Sequence, residues 1–97
     1  MVKINWMPQA IEDINKIAEY IAQDSFKYAK IQTERFFSAT SILIKNPKIG
    51  RVVPEVNEKN IREIIIGSYR LVYRVISINQ IDILTIHHSA RLLKKIS

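Results

Sequence analysis

The stretch IREIIIGSYRLVYRVISINQIDILTIHH, residues 61 to 88, decides the fold. It is dense in Ile, Val and Tyr and divides into three runs, Ile61 to Ile66, Tyr69 to Ser77 and Ile81 to His88, each predicted to be a strand. Gly67-Ser68 is a two-residue connection of the kind that closes a tight hairpin, and Asn79-Gln80 is a weaker turn signal. Strands this close must pair antiparallel, because a parallel neighbour needs a crossover of about a dozen residues or more. The second half of the chain is therefore predicted to be an antiparallel meander.

Upstream of it, Lys48 to Asn60 carries Gly50 and Pro54 and reads as a loop with one short strand at Arg51 to Val53. Before the loop the period changes. From Phe26 to about Lys45 there is no Gly or Pro, and Ala29, Phe36, Ala39, Thr40 and Leu43 recur at helical spacing. Asp24 and Ser25 are good N-cap residues, and Asn46-Pro47 stops the helix. A first helix runs from Pro8 to about Gln23, with Ile11, Ile14, Ile17, Ala18 and Ile21 as its buried stripe. Pro8 suits the first turn, and Glu12 and Asp13 complement the dipole there. So short a link makes the two helices an antiparallel hairpin. Val2 to Trp6 alternates like a half-buried strand, and Arg91 to Ile96 reads as a final helical turn. The expected fold is α+β: an N-terminal strand, then a two-helix antiparallel hairpin packed on a C-terminal antiparallel β-meander, in a single domain over residues 1–97.

Composition narrows the function. The 97 residues suffice for one hydrophobic core, and 47% apolar with 25% charged residues is ordinary for a globular protein. With no cysteine, a disulfide framework, a thiolate metal site and a cysteine nucleophile are all excluded. No signal peptide or membrane span is apparent, so the expected location is the cytoplasm. The net charge of +6 calls for an anionic partner, and it is uneven. Residues 1–49 hold seven Lys/Arg against five Asp/Glu, whereas residues 50–97 hold eight against four, so the second half is the expected contact surface.

Alternation sorts the middle strand into two faces, Tyr69, Leu71, Tyr73 and Val75 on one and Arg70, Val72, Arg74 and Ile76 on the other. Helices can cover only one of them. Arg70 and Arg74 on the other face would be neighbours, able to hold phosphate or carboxylate, or would be solvated, or one would pair with Glu63 across the hairpin. His87 and His88 point to opposite faces, so at most one joins the arginines. Two adjacent strand histidines do not share a metal ion readily, and no metal or cofactor is expected. No Gly-rich phosphate loop, no Ser/His/Asp order and no paired hydrolytic acids stand out. The aromatic residues Tyr20, Phe26, Tyr28, Phe36 and Phe37 read as core or interface.

In combination these pieces resemble the RelE/ParE superfamily of toxins over nearly the whole chain, and the ParE branch most closely. The resemblance is carried by Trp6 followed by Ala10-Ile11-Glu12-Asp13-Ile14 and Ile17-Ala18-Glu19-Tyr20-Ile21, then by Asp24-Ser25. It continues through the loop from Asn46-Pro47 to Pro54-Glu55, Ile61-Arg62-Glu63, Tyr69-Arg70-Leu71-Val72-Tyr73 and Ile86-His87-His88-Ser89-Ala90-Arg91. It implies the toxin half of a type II toxin-antitoxin system, of the kind linked to plasmid stabilisation and growth arrest, held inactive by a cognate antitoxin.

The two branches imply different chemistry. ParE-like members poison DNA gyrase by binding it, and the resemblance then implies a target-binding set of Arg51, Arg62, Tyr69, Arg70, Arg74, His88 and Arg91. RelE-like members cut mRNA on the ribosome, and Arg70, Arg62, His88 and Arg91 would be the catalytic residues of such an endoribonuclease. This sequence has Ile61 and Glu63 about where those nucleases carry lysines, and it ends in Leu92-Leu93-Lys94-Lys95-Ile96-Ser97 without their catalytic tyrosine. His88-Ser89-Ala90-Arg91 fits the ParE branch. The expectation is a gyrase-binding toxin, with the ribonuclease and a non-toxic antitoxin-binding relative as alternatives.

Overall fold

A computed structural model describes residues 2–89. The elements run β1 (Lys3–Trp6), α1 (Pro8–Ala22), α2 (Phe26–Lys45), β2 (Arg51–Val52), β3 (Ile61–Ile66), β4 (Tyr69–Ser77) and β5 (Gln80–His88). Each matches a predicted element to within a residue or two, and the expected final turn at Arg91 to Ile96 lies outside the described residues. The strands form one sheet in the order β1-β5-β4-β3-β2. From β2 to β5 every pairing is antiparallel, as the short connections require. β1 instead lies parallel to β5, with Ile4 opposite Ile81 and Trp6 opposite Ile83; the two helices and the meander supply the long crossover.

Local chemistry explains the element ends. Pro8 occupies the start of α1, and the Ser25 hydroxyl accepts a hydrogen bond from Tyr28 N at 3.1 Å to cap α2. Gly67 turns the β3–β4 hairpin at φ 62°, a left-handed conformation that glycine adopts without strain. The register of β4 against β5 shifts between Val72 and Tyr73, which leaves Leu84 unpaired and re-aims the residues that follow it.

The core forms on the predicted face. Leu71 and Tyr73 of β4, with Ile81, Ile83 and Ile86 of β5, bury against Ala10, Ile14, Phe36, Ala39 and Leu43 of the helices. Burying each of the larger side chains stabilises the fold by about 1.5–3 kcal/mol. Trp6 packs on Phe37 with ring centroids 4.9 Å apart, and Phe36 meets Tyr69 edge-on at 5.6 Å. The stripe of α1 differs from the expected one, because it runs through Ala10, Ile14 and Ile17 and leaves Ile11 exposed. Tyr20, Phe26 and Tyr28 are also exposed.

The opposite face of the sheet is not open, as the sequence reading expected. The loop from Val53 to Asn60 folds across it, and Val53 and Val56, with Met7 from the other side, close a second small core on Ile61, Val72 and Leu84. Periodicity could show that this face was mixed in character, but not that an irregular loop would cover it.

Candidate functional site

The covering loop changes what the arginines can do. Arg70 is buried, and its guanidinium is held from two sides. Its Nε donates to Glu63 Oε1 at 2.8 Å, while Nη1 and Nη2 donate to the two carboxylate oxygens of Glu55, each at 2.8 Å. Glu63 is itself buried and accepts from exposed Arg51 through its second oxygen, with Nε at 2.6 Å. The four side chains form a chain of alternating charge, Arg51-Glu63-Arg70-Glu55, with no net charge. Hydrogen bonds from Glu55 above all, then those and the charge of Glu63, raise the Arg70 pKa against the opposing effect of burial, so the guanidinium stays charged. The pairing with Glu63, one of the alternatives open in the sequence, is the observed one, and an open anion-binding Arg70 is not.

Arg74 shares that face but not that fate. It is half-buried, lies opposite Ile61 and Asp82, and makes no hydrogen bond or ion pair among the described residues. Val72 of the second core separates it from Arg70, so the two arginines are not the neighbouring pair that strand alternation suggested.

Arg62 faces the other way, opposite Tyr73 and thus on the helix side. Its Nη1 donates to Gly50 O at 2.8 Å and reaches Lys48 O at 3.4 Å. The Tyr73 hydroxyl completes this fastening, donating to Pro47 O at 2.7 Å and accepting from Gly50 N at 3.0 Å. Burial pushes the Tyr73 phenol above its ordinary value, partly offset by the Gly50 hydrogen bond and the charge of Arg62. A side chain at Gly50 would put its Cβ 2.5 Å from Glu63 O and 2.7 Å from the Tyr73 hydroxyl, so only glycine fits. Arg62 and Tyr73 thus anchor the loop after α2.

The histidines divide as their alternation requires, with the assignment reversed from the expected one. His88 lies opposite Tyr69 and packs edge-on against its ring at 5.7 Å, which puts it on the helix side, and His87 lies opposite Arg70. His88 and the arginines therefore do not share a face. Arg91 lies outside the described residues.

A cleft of about 590 Å³ opens between α1 and the end of β5, lined in part by Asp13, Lys16, Tyr20, Tyr69, His87 and His88. Asp13 sits outside the first turn of α1, so the expected dipole role does not hold. Its carboxylate instead accepts from Ile86 N at 3.0 Å and from the Thr85 hydroxyl, whose oxygen lies 3.2 Å from His87 Nε2. β1 ends at Trp6, so Asp13 supplies the hydrogen-bond partner that the rest of the β5 edge would otherwise lack. Sequence reasoning missed this, because nothing local links a helix carboxylate to a strand 73 residues away. Among the described residues no group of three or more His, Asp or Glu side chains could hold a metal ion, and no helix is long and apolar enough to cross a membrane.

Known proteins place the fold. A chain from the chromosomal ParDE toxin-antitoxin system of P. aeruginosa superposes with a TM-score of 0.73 at 19% identity, covering 91% of this chain and 96% of that one. The YoeB dimer of Staphylococcus aureus gives 0.60 at 22%, covering 90% and 95%. The heterotetrameric YoeB-YefM toxin-antitoxin complex of the same organism gives 0.56 at 20%, covering 91% and 97%. At these identities the likeness is one of fold. No curated protein matches the chain. The sequence profile of the family described as the ParE toxin of type II toxin-antitoxin system, parDE, matches residues 4–93. Because that match spans nearly the full sequence, the chain belongs to the ParE toxin family of type II toxin-antitoxin systems.

Proposed function

We propose that this toxin arrests growth by binding DNA gyrase, without catalysis of its own, and that a cognate antitoxin neutralises it. The observation that carries the reading is the state of Arg70. An RNA-cutting sheet needs an accessible cation to stabilise charge on the phosphate during attack by the 2′-hydroxyl. Here the arginine in the corresponding Tyr-Arg motif is buried and neutralised by Glu55 and Glu63. The neighbouring cations are also engaged or apart, Arg62 on backbone carbonyls and His88 on the other face. Basic groups that remain accessible, Arg51 and Arg74 together with the tail from Arg91, suit a surface that docks on an acidic protein face.

Membership of the ParE family supports the same direction, and the toxin-antitoxin systems among its structural neighbours support an antitoxin partner. Induced expression without the antitoxin should produce filamentation and a DNA-damage response, both suppressed when the antitoxin is supplied. Arrest accompanied by cleavage of translated mRNA, with no DNA-damage response, would replace this reading with the ribonuclease one.

A further inference from the structure

The sheet is unfinished along the outer edge of β3. β2 pairs only with Arg62 and Glu63, and Val53 N donates to Ile61 O, so beyond Glu63 no strand lies beside β3. In the two-residue hairpin Ile66 and Tyr69 form the hydrogen-bonded pair, so residues 66, 64 and 62 bond to β4 while 65, 63 and 61 turn their backbone groups outward. Ile65 thus holds its N–H and C=O outward, with no backbone partner among the described residues and a side chain 55% exposed. Beside this edge runs an apolar groove of about 560 Å³ between β3 and α2, floored by Ile31, Ala39, Ile42, Ile49, Ile64 and Ile66.

We propose that this edge and groove take an extended segment of an acidic polypeptide, which joins the sheet next to β3 as a sixth strand. The proposal rests on the toxin reading and identifies the segment as part of the antitoxin. Unmet backbone groups select an extended chain, since only a strand can satisfy the N–H and C=O of Ile65 together. Its alternate side chains would then fall between Ile64, Ile66 and α2 on one side and beside Ile65 on the other.

Charge selects the partner. Arg35 stands against Gly67 at one end of the groove, and Lys48 and Arg62 stand at the other, outweighing Glu34 in the lining. A second copy of this chain would bring another +6 to the same edge, whereas an acidic segment neutralises it. A bare apolar edge strand also invites aggregation, so a protein made together with its cover avoids that hazard.

The test co-expresses the full chain with the product of the adjoining small acidic reading frame, then compares amide exchange and affinity in free and bound toxin. Exchange at Ile65 should slow by about tenfold or more on binding. Ile65→Pro removes the outward N–H, a change that an edge position tolerates, and Ile65→Lys adds a charge there. Each should weaken binding about tenfold or more, while Ile78→Lys, at an exposed turn, should leave it unchanged. A complex that forms without slowing exchange at Ile65, or that tolerates Ile65→Lys, overturns the strand addition alone. Protection of Ile65 in a dimer of the free toxin assigns the edge to a second copy and overturns it too. Failure of the co-expressed protein to bind at all overturns the toxin reading beneath it.

Discussion

Arg70 and Glu63 sit diagonally across the β3–β4 ladder, Arg70 opposite Ile65 and Glu63 opposite Val72, and their side chains meet at 2.8 Å under a loop that seals them from water. Both charges are buried, and each is satisfied by a further partner, Glu55 for the arginine and Arg51 for the carboxylate. A network of this kind adds little over apolar packing when intact, but removing one member strands the others without a partner. Arg70→Met should therefore cost about 3–5 kcal/mol, whereas the triple replacement of Arg70, Glu63 and Glu55 by apolar residues of similar size should recover most of it. Thermal or denaturant unfolding of the two variants checks this, and equal losses would show that the residues do not act together.

Tyr73 gives the fold a sensitivity to alkali. Its phenol is held above its ordinary value of about 10, so the folded state binds the proton more tightly than the unfolded chain does. The resulting stability is fully present below about pH 10 and is lost as pH rises through the folded-state value. Tyr73→Phe removes this dependence and leaves Gly50 N and Pro47 O without their partner, costing about 1–3 kcal/mol at neutral pH. Unfolding measured from pH 7 to pH 11 should show the wild type converging on the variant.

Gly50→Ala probes the same fastening from the backbone side. The added methyl would meet a strand carbonyl and the Tyr73 hydroxyl well inside contact distance, so the loop must shift. A loss of about 1–3 kcal/mol is expected, with larger perturbation of Tyr73 and Arg62 than of the helices in an NMR comparison.

Asp13→Ala should leave Ile86 N and the Thr85 hydroxyl without an acceptor, again at about 1–3 kcal/mol. Exchange of the Ile86 amide should accelerate selectively, since β1 does not extend far enough to replace the carboxylate. Uniform acceleration across β5 would show instead that Asp13 supports the strand only indirectly.

The elements themselves were legible because the determinants are local. Period-two runs around Gly67-Ser68 specify the meander, and Ser25 and Asn46-Pro47 mark the ends of α2. The face buried under the helices followed from the alternation of Tyr69, Leu71, Tyr73 and Val75. What escaped depends on contacts distant in sequence. Nothing near Arg70 shows that Glu55, 15 residues earlier, will return to it on a covering loop. The parallel seat of β1 on β5 and the cap from Asp13 are likewise long-range. The two faces of His87 and His88 were foreseen as opposite, but the register decided which one joins Arg70. Glu63 was singled out as a departure from the nuclease pattern, and the geometry gives that departure a physical meaning, since it fills Arg70's coordination from within the sheet.

The most direct test of a toxin that works by binding, with Arg70 withdrawn into the fold, sets purified protein against two reactions side by side: supercoiling by DNA gyrase and cleavage of translated mRNA read by primer extension. The account predicts that supercoiling stops at saturating toxin while transcripts remain intact. Unimpaired supercoiling, together with cut transcripts that Arg70→Ala leaves whole, would contradict it.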